Sequence, residues 1–277
     1  MEKVQKVWPN RILAVAIITV IDFVAFALSL TACNNKTNGP THTHIPGAEA
    51  TCTTAQICTD CGDIMHAALG HNHESSLICK REGCDHQYAI GEIGPGGGKI
   101  FRVVSAGFTV EASPGGTPAG RAWAAYTAYY LEAAPANEAT TPQWGAYSTE
   151  IPGVATYPDA ADTTLIGNGR KDTRIIVNYL NTIPETGRAA QLCDDKTVTY
   201  NGIVYNDWFL PSSGELRYLY DQRSSIGISL SGTAADWYWS SSQRSQYHAW
   251  GLSFASGTSS FNAKDDSTRG VRAIRAF

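Results

Sequence analysis

The sequence predicts an α+β fold preceded by a small cysteine-held module, and three observations carry that prediction. Cysteine and tryptophan separate along the chain: residues 51–90 hold five of the seven cysteines, whereas 91–277 hold six of the seven tryptophans and one cysteine, Cys193. Short apolar runs bounded by Gly, Pro, Ser and Thr recur through 91–277, as strands do between turns. Two or three stretches of the same region carry apolar residues at helical spacing instead. A chain of 277 residues is long enough for one sizeable core plus a small module.

Residues 1–33 read as a secretory signal. Lys3, Lys6 and Arg11 give a positive start, an apolar run follows from Ile12 to Leu30, and the run ends in Leu30-Thr31-Ala32-Cys33. That ending resembles the bacterial lipobox, which implies cleavage before Cys33 and lipid on its sulfur. The competing reading, an uncleaved membrane span, places Asp22 in the bilayer interior, where a carboxylate is costly. Both readings put the rest of the chain outside the cytoplasm, and a lipid on Cys33 makes the membrane a partner in the bacterial cell envelope, on an outer membrane or cell surface. Residues 34–50 are polar with Pro and Gly and read as a linker; its His42 and His44 read as solvated.

The module spans 51–90. Cys58-Thr-Asp-Cys61-Gly62 has the form of a zinc knuckle, two thiolates aimed at one ion with a glycine letting the chain turn behind them. Cys79 and Cys84 form a second pair around Gly83, so Cys58, Cys61, Cys79 and Cys84 compose a candidate tetrahedral set for one structural zinc ion. A module of this size needs such a staple. Oxidation to disulfides is the alternative in an exported chain, although five cysteines leave one over. His66, His71 or His86 are candidate substitutes for a thiol. The segment also resembles small Cys-x-x-Cys-Gly segments of bacterial surface proteins, which implies a spacer. No His-Glu-x-x-His occurs, so the metal reading is structural.

From 91 onward, Gly94-Pro-Gly-Gly-Gly98 reads as a flexible entry turn to a strand at 99–104; it lacks the Lys-Ser/Thr and the following helix of a phosphate loop. Asp172–Ile183 reads as a helix on the spacing of Ile175, Ile176, Tyr179, Leu180 and Ile183, closed by Pro184. Residues 188–193 form a short second helical patch, with Cys193 as a small buried hydrophobe. Ser212 and Glu215 make a capping box for a third helix. The stretches 237–242, 248–254 and 271–277 read as strands, the last by its alternation.

In order, GPGGGKIF, YLEAAP (130–135), IGNGRKDT (166–173), AAQLC, NDWFLPSSGEL, YWSSSQ, AWGLSF and VRAIRAF resemble the C-terminal domain of collagen-like bacterial adhesins. The resemblance implies a C-type-lectin-like fold, distantly related to the formylglycine-generating enzyme. Its terminal strands, here 99–104 and 271–277, are expected to pair. Segments 105–129 and 136–164 read as loops or insertions.

Adhesin-like members of that family bind sulfated polysaccharide, so the resemblance implies a non-catalytic binding module for glycans or host matrix. Aromatics stacking on sugars and arginines pairing sulfates would be the means. Trp237, Arg244, Trp250 and Arg269 are the candidate ligand-binding residues and Trp239 a further aromatic, although for each of Trp208, Trp239 and Trp250 a core position is the better reading. Residues 91–277 carry 15 Lys and Arg against 17 Asp and Glu, so any basic patch must be local. That balance also argues against nucleic acid as a partner. Docking of an envelope protein is the alternative function. The enzyme reading is weaker, because the formylglycine-generating chemistry needs paired cysteines and this domain has only Cys193. Asp194, Asp195 and Asp207 lack the spacing of a calcium loop.

Overall fold

The computed structural model describes residues 43–277 except 118–119, 139–140, 155 and 158–164. The signal segment, Cys33 and His42 lie outside the described residues. Among the described residues no helix is long and apolar enough to cross a membrane. The chain divides into two compact units, one containing residues 43–49 and 55–67, the other 50–54 and 68–277.

The first unit is a hairpin. Strands β1 (Gln56–Ile57) and β2 (Ile64–His66) pair antiparallel. The turn between them is the Cys-x-x-Cys-Gly segment: Gly62, at φ +75°, donates its N–H to the Cys58 carbonyl at 2.9 Å. A left-handed backbone there is why glycine follows the second cysteine. Residues read from composition as linker belong to this unit, since Pro46 bridges Cys58 and Gly47 N–H donates to the Ile57 carbonyl.

The second unit is sheet-rich with three helices, an α+β arrangement. Strand β3 (Lys99–Val110) pairs with β4 (Tyr126–Ala133), whose other edge receives the C-terminal strand. Helices α1 (Gly169–Leu180) and α2 (Ala189–Asp194) follow, then the hairpin of β5 (Val198–Tyr200) and β6 (Ile203–Tyr205), then α3 (Ser213–Asp221). Strands β7 (Trp237–Gln243), β8 (His248–Ser253) and β9 (Ser259–Ala263) form an antiparallel meander, and β10 (Ile274–Ala276) closes the chain.

The terminal strands, which the resemblance implied would pair, do not pair with each other. They flank β4: Lys99 and Ile274 both face Ala133, from opposite edges. The reason lies in β4 itself. Buried on both faces from Tyr130 to Ala133, it carries no alternation to announce a strand, and a continuous apolar run is what a central strand shows. Its first residues fall in a segment that reads as loop. Phe209 extends the layer beyond β10 through two backbone bonds with Ile274, at 2.8 and 3.0 Å.

The helices follow their sequence signals closely. Ser212 and Glu215 make the reciprocal capping box of α3, while at α2 the Arg188 N–H donates to Gln191 Oε1 at 3.0 Å with no return bond from the Arg188 side chain. Helix α1 starts three residues before Asp172 and stops at Leu180, with Asn181 as C-cap. One core cluster packs α1 and α2, including Ile176, Leu180 and Cys193, against Trp144, Trp208 and Trp239. A second packs Leu216 and Leu219 of α3 against Phe101, Leu131, Tyr238, Phe254 and Ile274. A third joins Tyr88 to Ile100, Tyr130 and Phe277, with Leu77 against it, so packing groups residues just before Gly91 with the large domain.

Lys264 is fully buried, its ammonium donating to the Thr149 carbonyl at 2.6 Å and Gln243 Oε1 at 3.1 Å above the Trp144 ring. Burial pushes its pKa down to about 8, partly opposed by Glu150. Between about pH 8 and the ordinary lysine pKa of about 10.4 the unfolded chain therefore binds more protons than the folded one. Relative to Lys264→Met, the wild-type chain should gain stability as pH rises through that window. Denaturant unfolding of both proteins at pH 7.5 and 9.5 measures the difference; an unchanged gap contradicts the reading.

Candidate functional site

The sequence segments that carry the family resemblance meet at buried carboxylates rather than at an open site. Glu132, fully buried in β4, accepts N–H groups from Gly96 at 3.1 Å and Gly98 at 2.7 Å. The Gly94–Gly98 loop is thus a cradle around a carboxylate, where a flexible turn was expected. A Cβ on Gly94 would lie 2.6 Å from the Glu132 carboxyl carbon, which explains the glycine. Arg275 of β10 bonds Glu132 at 3.1 Å and grips Asp207 twice, at 2.9 and 3.0 Å. Burial disfavours every charge in this set. Asp207 and Glu132 nonetheless hold Arg275 charged, and Arg275 holds the Asp207 carboxyl below its usual range.

Glu215 forms the second such node. It accepts N–H groups from Gly167 and Ser212, both at 2.8 Å, while burial pushes its carboxyl up against those bonds. A side chain on Gly169 would collide with Glu215 and the Ser212 backbone. The GPGGG, YLEAA, NDWFLPSSGEL, IGNGR and VRAIRAF segments therefore specify the frame.

The expected ligand-binding residues do not form one exposed face. Trp250 and Arg269 are buried, at 6% exposure each, and Trp250 lies in the interior, the reading favoured for it from the sequence. The Trp250 indole N–H donates to the Tyr157 carbonyl at 2.8 Å. Arg269 lies over the rings of both Trp237 and Trp239, 4.7 Å from each, with Asp266 at 4.0 Å. Trp237 is half-buried and has Arg269 over its ring. Arg244, also half-buried, stacks 3.9 Å over Phe261. These cations are used in packing against aromatic rings, a contact that favours arginine.

A cleft of about 90 Å³ lies elsewhere in the domain, lined by Arg121, Trp123, Arg170, Arg174, Asp194, Asn206, Asp207 and Trp208 among others. Arg170 and Arg174 are one helical turn apart at the start of α1. Arg170 stacks 4.2 Å over Trp123 and donates to the Tyr126 hydroxyl at 3.0 Å. Asp194 pairs with Arg174 and, at 2.9 Å, with Arg121. Burial pushes the Asp194 carboxyl up, against the pull of both arginines. The buried Nε of Arg174 has no hydrogen-bond partner. Three guanidinium groups thus line the cleft with two carboxylates; Arg121 also pairs with Asp195 at 3.8 Å, and Asp207 is bound twice by Arg275, so the charges around the cleft are close to balanced. Sequence reasoning missed this site, although the Arg170–Arg174 spacing on a helix was a usable signal.

The cysteine module contains side chains that can hold a metal ion, in a different combination from the one expected. Cys79 and Cys84, both free thiols, gather with Cys52 and His71; Cys58 and Cys61 lie beside His44 instead, with Cys61 engaged in a disulfide. Backbone pairing explains the first group. Gly70 N–H donates to the Cys52 carbonyl at 3.0 Å, and Lys80 N–H to the Asn72 carbonyl at 2.7 Å, setting Cys52 beside His71 and Cys79 beside Asn72. Cys84 follows on a turn that bonds its N–H to the Arg81 carbonyl at 3.1 Å, with Gly83 at φ +72°. The Cys58–Gly62 segment was read as a turn, but the partition of the two pairs into separate groups was not readable from spacing. His44 Nδ1 lies 3.6 Å from Cys61 Sγ. A third group, His71, His73 and His86, shares His71 with the first.

No curated protein matches the chain. Residues 173–275 match the model of the family described as the Lcl C-terminal domain, a match that runs from Thr173 in α1 to Arg275 and so takes in Asp207, Glu215, Arg174 and Trp208 but not Arg121, Trp123 or Arg170 of the cleft.

Proposed function

We propose that the chain is an exported, lipid-anchored binding module without catalytic activity, tethered through Cys33 in the bacterial cell envelope, with a C-type-lectin-like domain that takes an anionic polysaccharide. The observation that carries the reading is the arginine–tryptophan cleft. Arg121 and Arg170, both partly exposed, supply charge-assisted donors of the kind that pair sulfate or carboxylate groups, and the partly exposed Trp123 supplies an apolar face beside them. The overall charge is slightly negative, so attraction is local and short-ranged. A structural zinc ion in the cysteine module belongs to the same proposal, as a staple for a segment too small to fold on a core of its own.

Retention of the purified chain on immobilised sulfated polysaccharide, against a neutral polysaccharide, tests the ligand class. The expected result is salt-sensitive retention on the sulfated matrix, lost in Arg170→Ser. Docking of an envelope protein is the competing reading. It is favoured by no retention on either matrix together with specific capture of one envelope protein.

A further inference from the structure

We infer that Cys52, His71, Cys79 and Cys84 bind one zinc ion as a closed Cys3His site. This deepens the structural-zinc part of the proposal above by replacing the set read from the sequence with another. Their four ligand atoms lie within 4.8 Å of one another. Cys52 Sγ and Cys79 Sγ are 3.7 Å apart, and Cys84 Sγ is 3.3 Å from His71 Nδ1. Zinc–sulfur bonds of about 2.3 Å at tetrahedral angles set sulfurs about 3.8 Å apart, so the first separation is that of two thiolates sharing an ion. Three soft thiolates and one imidazole form a donor set that selects zinc over hard cations.

The surroundings position two of the four ligands, Cys79 and His71. Asn72 N–H donates to Cys79 Sγ at 3.3 Å, a bond that stabilises a thiolate. The His86 ring lies flat against His71, centroids 3.7 Å apart and planes 8° from parallel. His86 is held by Glu92 Oε1 at 2.8 Å on one nitrogen and by His73 Nε2 at 3.1 Å on the other. Those bonds engage His73 and His86 with each other and with Glu92, and leave His71 as the imidazole for the ion. Leu77, inside the loop between His71 and Cys79, accepts from the Tyr130 hydroxyl and packs on the Tyr88–Tyr130–Phe277 cluster. Metal binding therefore locks this loop against the C-terminal sheet.

The test is metal content and cobalt substitution of the full-length chain, purified in detergent under reducing conditions. The Cys58→Ser/Cys61→Ser variant should keep an ion whose cobalt form shows the ligand-field and charge-transfer bands of tetrahedral thiolate coordination. Cys52→Ser should lose those bands. Cys84→His, which keeps four ligands, should retain the ion with the charge-transfer intensity reduced by about a third. Loss of all such bands from Cys58→Ser/Cys61→Ser would overturn the ligand set while leaving a zinc module in place. No metal uptake by the wild-type chain, or a Cys52–Cys79 disulfide found by peptide mapping of the chain purified without reductant, overturns both.

Discussion

Replacing Arg275 with methionine should destabilise the domain by about 3–5 kcal/mol, the cost of removing one partner from a buried ion cluster. Arg275 is 6% exposed, and its loss leaves the fully buried Glu132 without its cation and removes both guanidinium bonds to Asp207. The two carboxylates that shared the cation also repel more strongly once it is gone. For a domain of this size each kcal/mol moves the melting temperature by about 2–4 °C, so a drop of roughly 10 °C is expected in calorimetry. The variant Glu132→Gln/Asp207→Asn/Arg275→Met removes the charges together and should recover a large part of the loss. A single variant as stable as wild type, or a triple variant no better than the single one, contradicts this account. The pH dependence has a definite sign. Asp207 is held below its usual pKa, so its contribution is present above about pH 3.9 and is lost as pH falls through the folded value.

Glu215→Ala should cost about 3 kcal/mol or more. The carboxylate satisfies the N–H groups of Gly167 and Ser212, and each buried donor left without an acceptor costs about 1–3 kcal/mol. It also completes the capping box of α3, worth about 1 kcal/mol at such positions. Glu215→Gln should rescue only part of the loss, because its amide nitrogen presents donors to donors. Equilibrium unfolding in urea reads all three proteins. Equal stability of Glu215→Gln and wild type would show that the two N–H groups do not need both oxygens.

Much of the frame was legible in the sequence, for identifiable physical reasons. Helices α1, α2 and α3 announce themselves through period and caps, which are local properties. Strand β4 does not, because a central strand buried on both faces has no alternation, and the buried Glu132 in it reads as an interruption. Strand β9 was missed for the opposite reason: Ser259 to Ala263 is half-exposed and mostly polar. The role of Gly94–Gly98 was hidden because its partner, Glu132, is some thirty-five residues away.

The candidate sites divide in the same way. The turn at Cys58–Gly62 and the Cys79–Cys84 pair are local and were readable, whereas the choice of Cys52 and His71 as companions depends on backbone pairing across 17 to 19 residues, as between Gly70 and Cys52. Trp250 and Arg269 carry the right chemistry for sugar and sulfate, but tertiary packing spends it inside the domain. The cleft joins Trp123 and Arg121 to Arg170 and Arg174, which are about fifty residues away and adjacent only in the fold.

Calorimetric titration of the purified chain with a sulfated oligosaccharide tests the central claim most directly, with Arg170→Ser and Arg244→Ser as the paired variants. Saturable binding by wild type, retained in Arg244→Ser and weakened at least tenfold in Arg170→Ser, is the predicted result. Binding that survives Arg170→Ser but disappears in Arg244→Ser, or no binding by the wild-type chain, would contradict it.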